Sequence, residues 1–130
     1  MKPIARPLKN IMESMLTMAN KPETKIVNDI AAFVEDGGGN CLKIYGNAVQ
    51  RMGEPDLIGG IIIYDNLDRG RAVHFAVEVK LPGEEARPLQ KHRLKEWAKV
   101  RFVTGVVHSV DEFAELITDD AIMDTSAEDA

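Results

Sequence analysis

Two acidic residues and one lysine of this chain have the types and the spacing that phosphate-ester chemistry uses. Glu78 and Lys80 lie two residues apart in an otherwise apolar segment that alternates like a β-strand, so both side chains face the same side. Asp56 directly precedes an Ile-rich segment that is also typical of a strand. If these segments pair antiparallel through the polar turn between them, the start of the first lies beside the end of the second. Asp56, Glu78 and Lys80 would then share one small site.

Two neighbouring carboxylates are suitable ligands for a hard divalent cation such as Mg²⁺, and the backbone carbonyl of Val79 would add a third oxygen. Such an ion polarises a phosphate and lowers the pKa of a bound water. Lys80 would orient that water or stabilise the charge that develops in the transition state. The alternative is structural, with Glu78 and Lys80 forming a surface charge pair and Asp56 serving as a turn residue after Pro55.

The rest of the sequence predicts the elements that position these residues. Apolar residues at helical spacing predict helices over residues 7–19 and from about residue 21 to 36, the second ended by the glycines at 37–39. Strands are predicted at 41–45, 57–64, 72–80 and 102–107, and further helices at 87–99 and 109–117. The two glycines inside the second strand predict a bulge or a close backbone approach. The order predicts an α/β fold, with a mixed four-stranded sheet flanked by helices in an αβββαβ core after an extra N-terminal helix.

Length and composition limit the class of protein. The 130 residues suffice for one domain, and 45% hydrophobic and 28% charged residues are typical of a soluble globular protein. No apolar run approaches the roughly 20 residues that a membrane span needs, and no secretory signal is expected. The single cysteine, Cys41, excludes an internal disulfide, and the three scattered histidines give no zinc-ligand spacing. These features predict a cytoplasmic protein without a membrane partner.

The net charge of −5 conceals two opposite regions. Residues 118–130 hold five acids and no base, so the 16 acids before them balance the 16 Lys and Arg. This acidic tail is expected to be disordered. Basic residues are concentrated in the segment 87–101, and Arg87, Lys91 and Lys95 are predicted to contact nucleic-acid phosphates, as is Arg51 before Asp56. The alternative for the segment is a solvated helix face.

Pro55-Asp56 followed by Glu78-x-Lys80 resembles the PD-(D/E)xK nuclease superfamily, and the fuller pattern resembles its VRR-NUC branch, the virus-type replication-repair nucleases. The resemblance covers about residues 22–117 and implies a restriction-endonuclease-like core. It leaves residues 1–21 as a helical extension and residues 118–130 as a tail. This order of motifs favours the catalytic interpretation of Glu78 and Lys80 over the surface charge pair.

The resemblance also implies two further site residues. Gln90 stands where the branch has a Gln in the helix after the Glu-x-Lys strand, and it would steady the site or the scissile phosphate. Glu23 matches a Glu of the first core helix, and it would complete the metal shell formed by Asp56, Glu78 and Val79. The alternatives are a solvated helix residue for Gln90 and a first-turn acid favoured by the helix dipole for Glu23.

For function, the resemblance implies a DNA endonuclease that uses Mg²⁺, with Mn²⁺ as a substitute. Stand-alone members resemble Holliday-junction resolvases, which are homodimers frequent in phages, and a two-fold axis suits a substrate with two symmetric strands to cut. Branched DNA is therefore the expected substrate, in DNA repair or recombination. A flap-, end- or sequence-directed nuclease, a catalytically decayed DNA-binding module and a plain interaction domain remain as alternatives. The helix over residues 7–19 would pack on its own core or form a dimer contact.

Overall fold

A computed structural model describes residues 22–44 and 51–129, with side chains described as far as residue 122. Its elements are α1 (Pro22–Asp36), β1 (Asn40–Lys43), β2 (Leu57–Tyr64), β3 (Gly70–Val79), α2 (Pro88–Lys99), β4 (Val103–Val107) and α3 (Val110–Asp129). Every helix and strand predicted after residue 21 is present, and apart from the end of α3 their boundaries are close to those expected. The predicted helix over residues 7–19, and the end of the first predicted strand at residue 45, lie outside the described residues.

The four strands form one mixed sheet in the order β1-β2-β3-β4, which confirms the predicted α/β architecture. β1 with β2 and β2 with β3 pair antiparallel, whereas β3 and β4 pair parallel because α2 crosses over between them. The β2–β3 hairpin runs in continuous register from Leu57↔Val77 to Tyr64↔Gly70, without a bulge. At Gly59, an added Cβ would lie 2.3 Å from the Asn40 carbonyl oxygen, which confirms the close backbone approach.

The main core lies between one face of the sheet and the helices α1 and α3. Phe75 of β3 and Phe113 of α3 are fully buried and meet edge to face, with ring centroids 4.8 Å apart. Ile30 and Val34 of α1 pack against the same cluster. Side chains of β3 alternate, so Glu78 points away from this cluster, toward α2, which packs against β3 and β4.

The helix ends follow from local sequence. Gly38 has φ of 79°, and the N–H groups of Gly38 and Gly39 donate to the Glu35 and Val34 carbonyls at 3.0 and 2.8 Å. This is the Schellman arrangement, and it confirms the glycine cap predicted for α1. Ser109 Oγ accepts from the Glu112 N–H at 3.1 Å at the start of α3, while the Glu112 carboxylate accepts from the His108 N–H at 2.6 Å.

The end of α3 differs from the prediction. The sequence ended this helix at residue 117 and expected disorder from residue 118, but the helix continues to Asp129. Its buried stripe extends from Phe113 and Ile117 to Ala121, which is 6% exposed, so the helical period of core contacts continues into the acidic segment. None of the described helices is long and apolar enough to cross a membrane.

Candidate active site

Asp56 is held in place by the backbone of two neighbouring strands. Its Oδ2 accepts a hydrogen bond from the Val79 N–H at 2.7 Å, just beyond the last paired residues of β2 and β3. Its backbone carbonyl accepts from the Ile44 N–H at 2.8 Å, and Pro55 before it is fully buried. The predicted antiparallel hairpin thus brings Asp56 to the end of β3.

Glu78 is a buried carboxylate with one oxygen bonded and the other without a partner. The residue is 3% exposed, and its Oε1 accepts from Gln90 Nε2 at 3.0 Å and lies 3.8 Å from Lys80 Nζ. Within the described part of the chain, Oε2 is buried and makes no hydrogen bond. Burial, the negative charge of Asp56 and a hydrogen bond that the protonated carboxyl makes to Asp56 together raise the pKa of Glu78 to about 8, while Lys80 opposes them. A proton or a cation is needed to stabilise such an oxygen.

Lys80 lies on the same side as Glu78, as the alternation predicted. Its N–H donates to the Val107 carbonyl at 3.1 Å, so β4 anchors it. β3 has a strand on each side, and the site therefore lies at the end of an interior strand rather than along an open sheet edge. The Lys80 and Glu78 side chains are 13% and 4% exposed, which does not fit a surface charge pair.

Gln90 connects α2 to Glu78. Its Oε1 accepts from the Arg87 N–H at 2.8 Å at the start of the helix, and its Nε2 donates to the carboxylate. Because the amide oxygen is used by a backbone donor, the amide nitrogen must face Glu78. Gln90 is 7% exposed, so the alternative of a solvated helix residue is wrong.

Glu23, in the first turn of α1, reaches the same group of charges. Burial and a hydrogen bond with Glu84 raise the pKa of Glu23, Asp56 raises it by repulsion, and Lys80 lowers it. Glu84, in the loop after β3, is a neighbour of the site that the sequence reasoning missed. An acidic residue in the loop directly after the Glu-x-Lys strand was the signal that could have identified it.

The four predicted phosphate contacts have different surroundings. Arg87, Lys91 and Lys95 are exposed on or beside α2, the helix that carries Gln90. Arg51 is also exposed, but its Nη2 donates to Glu54 Oε1 at 2.8 Å. Three of the four cations therefore face solvent on or beside the helix that carries Gln90, and the fourth, also exposed, is held in an ion pair.

The donor set suits a hard divalent cation. Asp56, Glu78 and Glu23 supply carboxylate oxygens, and Val79 has a carbonyl between the Glu-x-Lys side chains. The unpartnered Glu78 Oε2 and the mutual repulsion of the acids are both conditions that a cation would relieve. Among the described residues, no three His, Cys, Asp or Glu side chains already form a coordination group. Binding would therefore require these carboxylates to turn toward the ion.

No sequence family profile and no curated protein matches the chain. Solved structures do match it. One, described as a VRR_NUC domain, is 25% identical, with a TM-score of 0.58 over 75% of this chain and 96% of its own length. Another, described as a VRR_NUC domain protein, is 19% identical, with a TM-score of 0.54 over 77% of this chain and 88% of its own. The shared fold thus covers about three quarters of this chain and nearly all of the compared ones.

Proposed function

We propose that this chain, whose structural similarities support a VRR-NUC domain protein with a restriction-endonuclease-like fold, is a metal-dependent endonuclease that hydrolyses phosphodiester bonds in DNA. The observation that carries the proposal is the meeting of Asp56, Glu78 and Lys80 at the end of β3, with one buried Glu78 oxygen lacking a partner in the described structure. Two acids and one ammonium so placed suit the attack of water on a phosphodiester.

Mg²⁺ is the proposed ion, with Mn²⁺ as its substitute. Asp56, Glu78 and the Val79 carbonyl would hold it, and Glu23 would complete the shell directly or through a water. Bound there, the ion would polarise the scissile phosphate and lower the pKa of an attacking water. The Val79 N–H bond keeps the Asp56 carboxylate at this position in advance of binding.

Lys80 and Gln90 have separate roles in the proposed reaction. Lys80 Nζ lies 3.8 Å from Glu78 Oε1, so it is placed to orient a water beside that carboxylate and to stabilise negative charge on the phosphate. Gln90 holds Oε1 of Glu78 and leaves Oε2 available to the ion. Gln90 thereby fixes which oxygen of Glu78 faces the substrate.

The exposed cations beside the site would bind the DNA backbone. Arg87, Lys91 and Lys95 would contact phosphates, and Arg51 would do so by exchanging its bond to Glu54 for one to DNA. Replacing Lys91 by Ala should weaken binding to every DNA sequence alike and reduce the slope of log affinity against log salt by about 1. Fluorescence anisotropy at several salt concentrations measures both quantities.

Branched DNA is the proposed substrate, the four-way junction first, and the proposed assembly is a homodimer acting in DNA repair or recombination. A phage origin and action in the host cytoplasm are part of the same proposal. The support is the resemblance to stand-alone VRR-NUC proteins and the match of a two-fold assembly to two symmetric strands. Analytical ultracentrifugation tests the assembly, and a monomer would remove the argument for paired cuts.

The decisive experiment is cleavage of labelled DNA with Mg²⁺, with Mn²⁺ and with EDTA. A four-way junction, a matched duplex and a flap are compared, using the wild type, Asp56→Ala and Lys80→Ala. Arg69→Ala is the control, because Arg69 lies in the turn at the far end of the β2–β3 hairpin and its side chain forms an exposed ion pair with Asp65.

Paired symmetric nicks in the junction alone, lost with EDTA and in both site variants but kept in Arg69→Ala, are expected. Cutting of the flap or duplex instead would keep the chemistry and assign a flap-, end- or sequence-directed nuclease. Binding without cutting under either metal would leave a catalytically decayed DNA-binding module. Circular dichroism must show that the inactive variants are folded.

A further inference from the structure

The loop that leads into Asp56 is fixed to α2 by the partly buried carboxylate of Glu54. The Glu54 side chain is 12% exposed, and its Oε1 accepts from Arg51 Nη2 at 2.8 Å. Trp97 Nε1 of α2 donates to Oε2 at 3.4 Å, and Arg93 Nε lies 3.6 Å from Oε1. One carboxylate thus connects the loop to two successive turns of the helix.

Arg93 connects the same two elements from the helix side. Its Nε donates to the Met52 carbonyl at 3.1 Å, while its Nη1 donates to Glu96 Oε1 at 2.8 Å on its own helix. The Arg93 side chain is 18% exposed, so its guanidinium is partly buried between the helix and the loop.

The loop backbone also touches α2 directly. Gly53 has φ of 79°, and a Cβ added to it would lie 2.7 Å from Leu89 Cγ. Only glycine allows both this conformation and this approach. The loop therefore follows the helix surface closely instead of standing off from it.

These contacts join the two segments that deliver groups to Glu78. The loop continues into Asp56, whose charge acts on Glu78, and α2 carries Gln90, which donates to Glu78. We infer that the Glu54–Arg93 cluster, meaning Glu54, Arg93 and Trp97, is a positioning device that sets Asp56 relative to Glu78 and Gln90. The inference rests on the proposed function for its catalytic consequence, since Asp56 is the acid being positioned.

The burial of the cluster separates this role from DNA binding. A guanidinium that contacts phosphate must be free to exchange partners, whereas Arg93 has a backbone carbonyl and two carboxylates around it. The exposed Arg87, Lys91 and Lys95 lie outside the cluster. Loosening the cluster at Arg93 should therefore lower kcat and leave the KM for DNA unchanged, because the exposed phosphate contacts stay intact while Asp56 is misplaced.

The test combines amide hydrogen exchange by NMR with kinetics. The Val79 amide donates to Asp56 Oδ2 and reports its position, while the adjacent Lys80 amide donates to the Val107 carbonyl and serves as an internal reference. In metal-free buffer, Glu54→Ala should speed exchange of the Val79 amide about tenfold and leave that of Lys80 unchanged. Its kcat should fall by up to about 100-fold. The comparison at constant KM belongs to a variant of Arg93, because Glu54 is also the partner of Arg51.

Arg93→Lys is the second variant, because lysine keeps the charge but cannot bond the Met52 carbonyl and the carboxylates at once. It covers the case in which Glu54→Ala fails to fold, and it should show the same pattern. Glu35→Gln, an exposed acid near the end of α1, is the matched control and should change neither readout.

Unchanged Val79 exchange in the folded variants would overturn the positioning role, even if kcat fell. Equal acceleration at Val79 and Lys80 would also overturn it, because general loosening of the strand end would then explain the effect. If the wild type cuts no DNA, the proposed function fails, but the exchange comparison still decides whether the cluster holds Asp56.

Discussion

Replacing Glu78 by Gln removes the buried ionisable group at this site while leaving the surrounding fold unchanged. The amide has nearly the shape of the carboxyl, and the donors from Gln90 and Lys80 stay where they are. Its nitrogen can donate toward Asp56, where a protonated carboxyl would make the same bond. The variant therefore removes the ionisation and little else.

The magnitude follows from the pKa of Glu78, about 8 in the folded protein against an ordinary value of 4.5. Between these values the folded carboxyl keeps a proton that the unfolded one releases, so rising pH favours unfolding. The free energy of unfolding then falls by up to about 1.4 kcal/mol per pH unit, and by at most about 5 kcal/mol in total between the two pKa values. Below pH 4.5 both states are protonated, and above pH 8 the loss is complete.

Urea unfolding in EDTA at pH values from 5 to 9 measures the effect. The wild-type free energy of unfolding should fall through this window, whereas Glu78→Gln should lose most of that decline, keeping the part due to Glu23, and be the more stable protein at pH 9. Added Mg²⁺ should stabilise the wild type at pH 8 far more than the variant. Glu35→Gln gives the baseline for an exposed acid, and a pH profile of Glu78→Gln equal to that of the wild type would refute the reasoning.

Three further changes test the fold around the site. Gly59→Ala should lower the free energy of unfolding in urea by about 1–3 kcal/mol, because its Cβ would collide with the Asn40 carbonyl oxygen of the paired strand β1. An unchanged urea midpoint would contradict the pairing of β1 with β2. Phe113→Ala should lower the free energy of unfolding by about 3–5 kcal/mol in the same assay, since the ring is fully buried. A decrease below about 1 kcal/mol would contradict its position in the core. Glu112 and a backbone carbonyl raise the pKa of His108, so His108→Gln should lower the melting temperature more at pH 5.5 than at pH 8.5, and equal losses would count against the pairing.

The strand order and the meeting of Asp56 with Glu78 could be predicted because both depend on local patterns. Alternation in β2 and β3 sets which side chains share a face, and a short polar turn dictates antiparallel pairing. Once the hairpin is assumed, the residue before β2 must lie beside the end of β3. The depth of the site could not be predicted, because the 3% exposure of Glu78 depends on how α2 crosses the sheet.

The residues that sequence reasoning missed act through packing between distant segments. Glu54 and Arg93 lie in a loop and a helix separated by two strands, and no spacing rule relates them. The prediction for α3 was wrong for a local reason. The acidic composition after residue 117 suggested disorder, and the buried stripe that continues to Ala121 was overlooked. Arg51 was interpreted by its charge alone, although its partner Glu54 is only three residues away.

The β2–β3 hairpin has Asp56 and Glu78 at its open end, and its turn, residues 65–69, lies seven strand steps or about 23 Å away. Asp65 holds that turn together by accepting from the N–H groups of Leu67 and Arg69 at 2.8 and 3.0 Å. The tip can consequently be lengthened or exchanged for another tight turn without altering the register at the end that holds Asp56 and Glu78. It is a suitable place to insert a fluorescent label or an affinity tag, whereas additions near either end of the domain would approach α1 or α3.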